Sequence, residues 1–172
     1  MLLAIDPGSS QSAYVLFDEG SNTPIINRFG KANNEVIIQG AAKIGGPDDT
    51  LAIEFPRVRG MQVMQQVLDT CLVAGRIIQA WPGRWARIDR GHVKNCICGS
   101  SRATDSNIRT ALLGMFPPTG GGKTPQIGVK AKPGPLYGLS ADMWAALAVG
   151  ITYQQRGESD FGVNSDREGL GP

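Results

Sequence analysis

Short apolar runs closed by an acid or a turn alternate along this chain with a few longer amphipathic stretches. Leu2 to Ile5 (LLAI) is apolar and short enough for a buried strand. It ends on Asp6 and a Pro-Gly-Ser-Ser turn. SAYVLF (12–17) and PIINRF (24–29) read as two further strands. Three strands so close together, joined by tight turns, predict an antiparallel meander. NNEVIIQGAAKIG (33–45) predicts a short helix that Asn33 or Asn34 can cap and Gly45 can stop. TLAIE (50–54) is a fourth strand, again ending in an acid, Glu54.

Between Met61 and Trp81, apolar residues recur at three- and four-residue steps: Met64, Val67, Leu68, Cys71, Ile78 and Trp81. That spacing predicts an amphipathic helix. WARI (85–88) predicts a fifth strand and residues 90–98 a short helix. Thr104 or Ser106 can cap a helix running to about Met115. PPTGGGKTPQIGVKAKPGPLYG (117–138) reads as a long flexible loop, of the kind that is functional or mobile in compact domains. SADMWAALAVGITY (140–153) is a last apolar helix, with Ser140 as its cap. From Gln154 the periodicity stops, predicting a single domain over residues 2–153 and a polar tail over 154–172. The order βββαβαβαα-loop-α predicts an α/β domain. Its mixed sheet starts antiparallel and continues with helix-carried parallel crossovers.

Composition narrows the class. The chain has 172 residues, 41% of them hydrophobic, which suffices for one well-filled core. No apolar run approaches the ~20 residues of a membrane span. Three cysteines without a framework spacing suggest reduced thiols and a cytoplasmic protein. The net charge of +2 hides an asymmetry. Arg84, Arg87, Arg90, Lys94, Arg102, Arg109, Lys123, Lys130 and Lys132 share their stretch with only Asp89 and Asp105. A basic segment of this kind suits a polyanion partner, although a solvated surface would look the same.

The chemistry-bearing residues are three acids. Asp6 and Glu54 each end a strand, and Asp142 opens the last helix. Ligands of an open α/β sheet bind beyond the carboxyl ends of its strands. If the first and fourth strands are neighbours, Asp6 and Glu54 end side by side. Clustered carboxylates repel unless a cation sits among them, and hard oxygen ligands suit Mg²⁺ or Mn²⁺. Two of the acids also have a plain structural use, Asp6 in a turn and Asp142 in a first helical turn; Glu54, which follows three apolar residues and precedes Phe-Pro, fits such a use less well.

With these residues in place, AIDPG (4–8), AIE (52–54) and DMWAALAVGITY (142–153) resemble the RuvC family of Holliday-junction resolvases in the RNase H-like superfamily. PGPLYG (133–138) ahead of the last helix is similar to the phage-encoded branch. The resemblance implies a Mg²⁺-dependent endonuclease, with Mn²⁺ possible, acting as a homodimer on four-way DNA junctions and leaving 5′-phosphate and 3′-hydroxyl ends. It implies Asp6, Glu54 and Asp142 as metal ligands for two ions per site. It places Lys130, ahead of Lys132 and Lys123, near the scissile phosphate. It puts Phe55, Arg57 and Arg59 near the junction centre. Lys94, Arg102 and Arg109 are further candidate DNA contacts; the alternative is a solvated helix face. Cellular members carry a fourth acid where this chain has Ala145, which opens the alternative of a junction binder that cuts weakly or not at all. The helix from Met61 is the expected dimer element, because Met61, Val63, Leu72 and Val73 extend its apolar surface.

Other signals are weaker. GGGKT (120–124) lacks the first glycine of a phosphate loop, since position 117 is Pro117, so no nucleotide cofactor is expected. His92, Cys96 and Cys98 lack a second ligand pair for zinc. Asp6 before Gly-Ser-Ser also resembles the phosphate loop of actin-like ATPases, but those need two lobes.

Overall fold

The computed structural model describes residues 1–18, 24–56, 64–157 and 160–161. The elements are β1 (Leu2–Asp6), β2 (Gln11–Asp18), β3 (Ile25–Asn33), α1 (Asn34–Ile44), β4 (Thr50–Glu54), α2 (Gln65–Ala80), β5 (Arg84–Ile88), α3 (Arg90–Cys98), α4 (Asp105–Gly114), β6 (Gly128–Val129), β7 (Lys132–Pro133) and α5 (Met143–Arg156). The main sheet runs β3-β2-β1-β4-β5. β1 to β3 form the expected antiparallel meander, and β4 and β5 join in parallel. β1 and β4 are therefore neighbours, with Ile5 opposite Ile53, and their carboxyl ends share one edge.

Strand alternation divides the core into two layers. Leu3, Ile5, Leu51 and Ile53 pack with Ile37, Ala41, Val73, Ala74 and Ile77 of α1 and α2. Leu2, Ala4, Ala13, Ala52 and Ala86 face the other way, toward α3, α4 and α5. The small residues on that face let α5 approach the sheet closely. At Gly150 a Cβ would lie 2.1 Å from the Phe17 ring and 3.0 Å from Ala4 Cβ, so helix and sheet meet there without room for a side chain. Ala146 to Ile151 are buried as a continuous stretch, as befits a helix walled on several sides.

Local chemistry explains most element ends. Asn33 caps α1 by accepting from the Glu35 N–H, and Gly45 stops it. Thr104 and Asn107 form a reciprocal capping box at the start of α4. Three expectations are corrected. First, α5 is opened by Asp142 without a side-chain cap, not by Ser140. Its carboxylate is engaged with Lys31 instead. Second, α5 runs past Gln154 to Arg156, and Phe161 returns to stack on Tyr153 at 6.3 Å, so the tail starts later than its polarity suggests.

Third, the glycine-rich segment is a folded unit rather than a flexible loop. Backbone N–H groups of Gly120, Gly121, Gly134 and Leu136 donate to the carbonyls of Pro125, Lys132, Ile127 and Gln126 at 2.8–2.9 Å. Leu136 is fully buried in the core. Glycine serves here for close approach: a Cβ on Gly120, Gly128 or Gly134 would lie 2.3–2.7 Å from neighbouring backbone atoms. No helix among the described residues is long and apolar enough to cross a membrane.

Candidate active site

Asp6 is the last residue of β1 and Glu54 the last of β4, so parallel pairing brings both to one edge. The turn after Asp6 is tied down from below. Buried Ser12 Oγ donates to Asn34 Oδ1 at 2.7 Å, and Asn34 Nδ2 donates to the Gly8 carbonyl at 3.0 Å. A Cβ on Gly8 would lie 2.4 Å from the Gln11 carbonyl oxygen. The Pro-Gly-Ser-Ser turn is thus fixed to the start of α1, and it leaves Asp6 at the edge.

The third wall is the α5 N-terminus. Ala141 precedes it with φ +37°, a strained backbone for a residue with a side chain. Together Asp6, Glu54, Asp142, Ala145, Arg90, Asp105, Arg109, Trp144, Ile108 and Ala141 line a cleft of about 440 Å³. The three acids read from the sequence therefore meet in one cleft, as does Arg109. The cleft's electrostatics are those of crowded, half-dehydrated acids. The Asp6 carboxyl is pushed up to about 7, first by burial and then by the charges of Glu54 and Asp142, against the pull of Arg90 and Lys31. Glu54 is also raised, chiefly by burial and against the opposing charge of Arg90.

Basic side chains hold two of the acids. Arg90 Nη1 donates to Glu54 Oε2 at 3.3 Å, and its Nη2 donates to Asp105 Oδ1. Lys31 pairs with Asp142. As placed, no three such side chains among the described residues stand close enough to enclose a metal ion. The donor chemistry nevertheless fits one. All three groups are carboxylates, and Asp6 has no ion-pair partner of its own among the described residues.

Other expected residues lie elsewhere. Lys123, Lys130 and Lys132 are exposed on the folded hairpin segment and none lines the cleft. Phe55 packs partly against the α1–α2 core layer, with the Arg87 guanidinium 5.5 Å from its ring centre. It borders a second cleft with Arg87, Asp89, His92 and Phe161. Arg102 is exposed and Lys94 half-buried. Arg109 stacks over Trp144 at 4.8 Å. Arg57 and Arg59 lie outside the described residues.

Sequence reasoning missed the site roles of Lys31 and Arg90. Lys31 reaches the site through register: Asp6 faces Ala13, and Ala13 faces Lys31 on the next strand. Arg90 had a readable signal. It follows β5, whose last residue Ile88 lies opposite Glu54, so it belongs to the same edge.

Comparison with solved structures fixes the architecture. Thermus thermophilus RuvC superposes with a TM-score of 0.61 at 14% identity, covering 95% of this chain and 99% of that one. The same protein in complex with a Holliday junction substrate gives 0.59 at 12% identity, covering 89% and 92%. The chain has the RuvC fold. No protein-family profile matches the sequence, and no curated protein sequence does. The RuvC fold accounts for the five-stranded mixed sheet with helices on both faces, the single-domain RNase H-like arrangement that the resemblance implied. In this chain the acid-lined cleft sits at the carboxyl edge of β1 and β4.

Proposed function

We propose that this protein is a metal-dependent, structure-selective endonuclease that resolves four-way DNA junctions, leaving 5′-phosphate and 3′-hydroxyl ends. The observation that carries the reading is the meeting of Asp6, Glu54 and Asp142 in one cleft at the carboxyl edge of a RuvC fold. These carboxylates would hold Mg²⁺, or Mn²⁺ in its place. A bound divalent ion supplies Lewis-acid stabilisation of charge on the phosphoryl oxygens and a more acidic water. The chain's own residues do the rest. Asp6, raised toward neutrality by burial, gains most from a cation. Arg90 and Arg109 offer guanidinium groups to phosphate oxygens at the cleft wall. Lys130, Lys132 and Lys123, carried on the hairpin segment outside the cleft, grip the flanking backbone. Lys94 and Arg102 add to that basic surface, and Phe55, Arg57 and Arg59 are further candidate DNA contacts. Incubating a synthetic four-way junction with the protein, with and without Mg²⁺, tests the reading. Paired nicks that need Mg²⁺ are expected. Tight binding without nicks in either condition would make it a junction-binding protein instead.

DNA binding on this reading is largely phosphate neutralisation. With six or more phosphates neutralised, affinity should fall by about 10³-fold between 50 and 200 mM salt. Junction titrations at several salt concentrations check this, and a flat dependence would remove the basic segment as the DNA face.

A homodimer is also part of the proposal. Met64 at the N-cap of α2 and Leu68 and Leu72 on it are exposed at 66%, 52% and 67%, and on the adjoining α1 Val36 and Ile44 are exposed too. Val73 faces the core instead, and Met61 and Val63 lie outside the described residues. A charge inside that apolar surface should prevent association. Leu72→Glu is expected to sediment as a monomer at micromolar concentration where the parent chain is a dimer. A monomeric parent chain would remove the dimer from the proposal.

A further inference from the structure

We propose that Arg90 takes the electrostatic place of a second cation, so that each active site binds one divalent ion and not two. The inference rests on the metal-dependent reading above and concerns this chain's own residues toward that ion.

The first argument is charge. Four carboxylates line the cleft, those of Asp6, Glu54, Asp105 and Asp142, against two guanidinium groups, those of Arg90 and Arg109. Lys31, paired with Asp142, adds a third positive charge, so with every acid ionised one negative charge remains in excess, which one divalent ion more than cancels. A second divalent ion would leave about three positive charges at the cleft before the DNA phosphate arrives. The second argument is the ligand supply. Ala145 stands one turn beyond Asp142 on the same cleft wall, and its methyl group offers no donor. α5 thus contributes a single carboxylate.

The third argument is how firmly Arg90 is placed. It is the first residue of α3, whose start is fixed by Asp89 accepting from the His92 N–H at 3.0 Å. From there its guanidinium spans Glu54, whose side chain is only 17% exposed, and Asp105, which is 81% exposed. Asp105 in turn sits in the first turn of α4, which the Thr104–Asn107 capping box secures. The two carboxylates hold Arg90 by different nitrogens, Glu54 by Nη1 and Asp105 by Nη2. When Glu54 passes to the ion, Arg90 keeps Asp105 and turns its freed N–H groups to a phosphate oxygen. A planar guanidinium suits that bidentate contact. In this arrangement Arg90 is a catalytic residue and Asp105 a positioning residue that acts through it.

Titration of the full chain with Mn²⁺, followed by calorimetry and by the loss of the free-ion electron paramagnetic resonance signal, reads the stoichiometry directly. One Mn²⁺ per chain is expected. Arg90→Gln removes a positive charge that competes with the ion for Glu54 and should tighten Mn²⁺ binding by about tenfold, while junction cleavage falls. Arg90→Lys, which keeps the charge but not the planar fork, should bind Mn²⁺ as the parent does and still cleave poorly. Asp105→Asn, which releases Arg90 onto Glu54, should weaken Mn²⁺ binding in the parent and leave it unchanged in the Arg90→Gln background. Two Mn²⁺ per chain in the parent, or unchanged affinity in Arg90→Gln, overturns the role of Arg90. An equal loss from Asp105→Asn in both backgrounds makes Asp105 a ligand and overturns its positioning role. No Mn²⁺ binding at all overturns the metal-dependent reading itself.

Discussion

Asp6→Asn is expected to abolish junction cleavage and, in metal-free buffer at pH 8, to make the protein more stable. The two effects share a cause. The Asp6 carboxyl is buried beside two other acids and pushed up to about 7 from the 3.8 of an ordinary aspartate. An acid whose pKa is raised in the folded state binds its proton more tightly there than in the unfolded chain. Stability therefore falls as pH rises between about 4 and about 7, and the full cost is present above that window. Each pKa unit is worth about 1.4 kcal/mol, so the cost amounts to a few kcal/mol. An amide cannot ionise and escapes it. For a chain of this size 1 kcal/mol moves the melting temperature by about 2–4 °C, so a rise of roughly 8–16 °C is expected at pH 8 in EDTA. Near pH 4 the two proteins should melt together. The cleavage rate should fall by about 10³-fold or more, equivalent to roughly 4 kcal/mol of barrier, with junction binding kept. Thermal melts at both pH values and a nicking assay check the pair of effects. Nicking at the parent rate removes Asp6 from the metal site, and a lower melting temperature at pH 8 removes the electrostatic account.

The site was partly legible because two of its acids end short apolar strands. Such a strand states its own boundary, and an acid at its carboxyl end falls where open sheets bind ligands. The caps of α1 and α4 were equally plain, because they depend on residues a few positions apart. What the sequence hid was cross-strand register. Lys31 meets Asp142 only because the β1–β2–β3 meander aligns Asp6, Ala13 and Lys31. Moving β3 by one residue would send that lysine to the opposite face. Ser140 was misjudged for a related reason. Capping preference is local, whereas the side chain that opens α5 is drawn away by a lysine far along the chain. The glycine-rich segment was misread because glycine serves two opposite ends. It frees a chain that nothing holds, and it lets backbones touch in one that is tightly packed.

That second use of glycine makes Gly134→Ala the sharper test of how DNA is gripped. A Cβ at this position would lie 2.3 Å from the Pro125 carbonyl oxygen and 2.5 Å from that of Gln126. Both obstacles are backbone and cannot swing aside as a side chain would. The Gly134 N–H also donates to the Ile127 carbonyl at 2.9 Å, a bond that helps close the hairpin bearing Lys130 and Lys132. The segment must open to admit the methyl group. Overpacking of this kind typically costs about 1–3 kcal/mol, and part of the loss should appear as a lower melting temperature through Leu136, which the same segment seats in the core. Below that temperature the protein stays folded but presents its lysines on a loosened chain. If two phosphates are no longer neutralised, the slope of log affinity against log salt should shift by about 2. Lys130→Ala with Lys132→Ala should reproduce that shift without lowering the melting temperature, since both side chains are exposed. If Gly134→Ala keeps the parent's slope while the double lysine variant loses it, the charges alone grip the DNA and the fold of the hairpin is dispensable for binding. If all three proteins share one slope, the hairpin lies off the DNA, and the grip must come from the basic residues of α3 and α4.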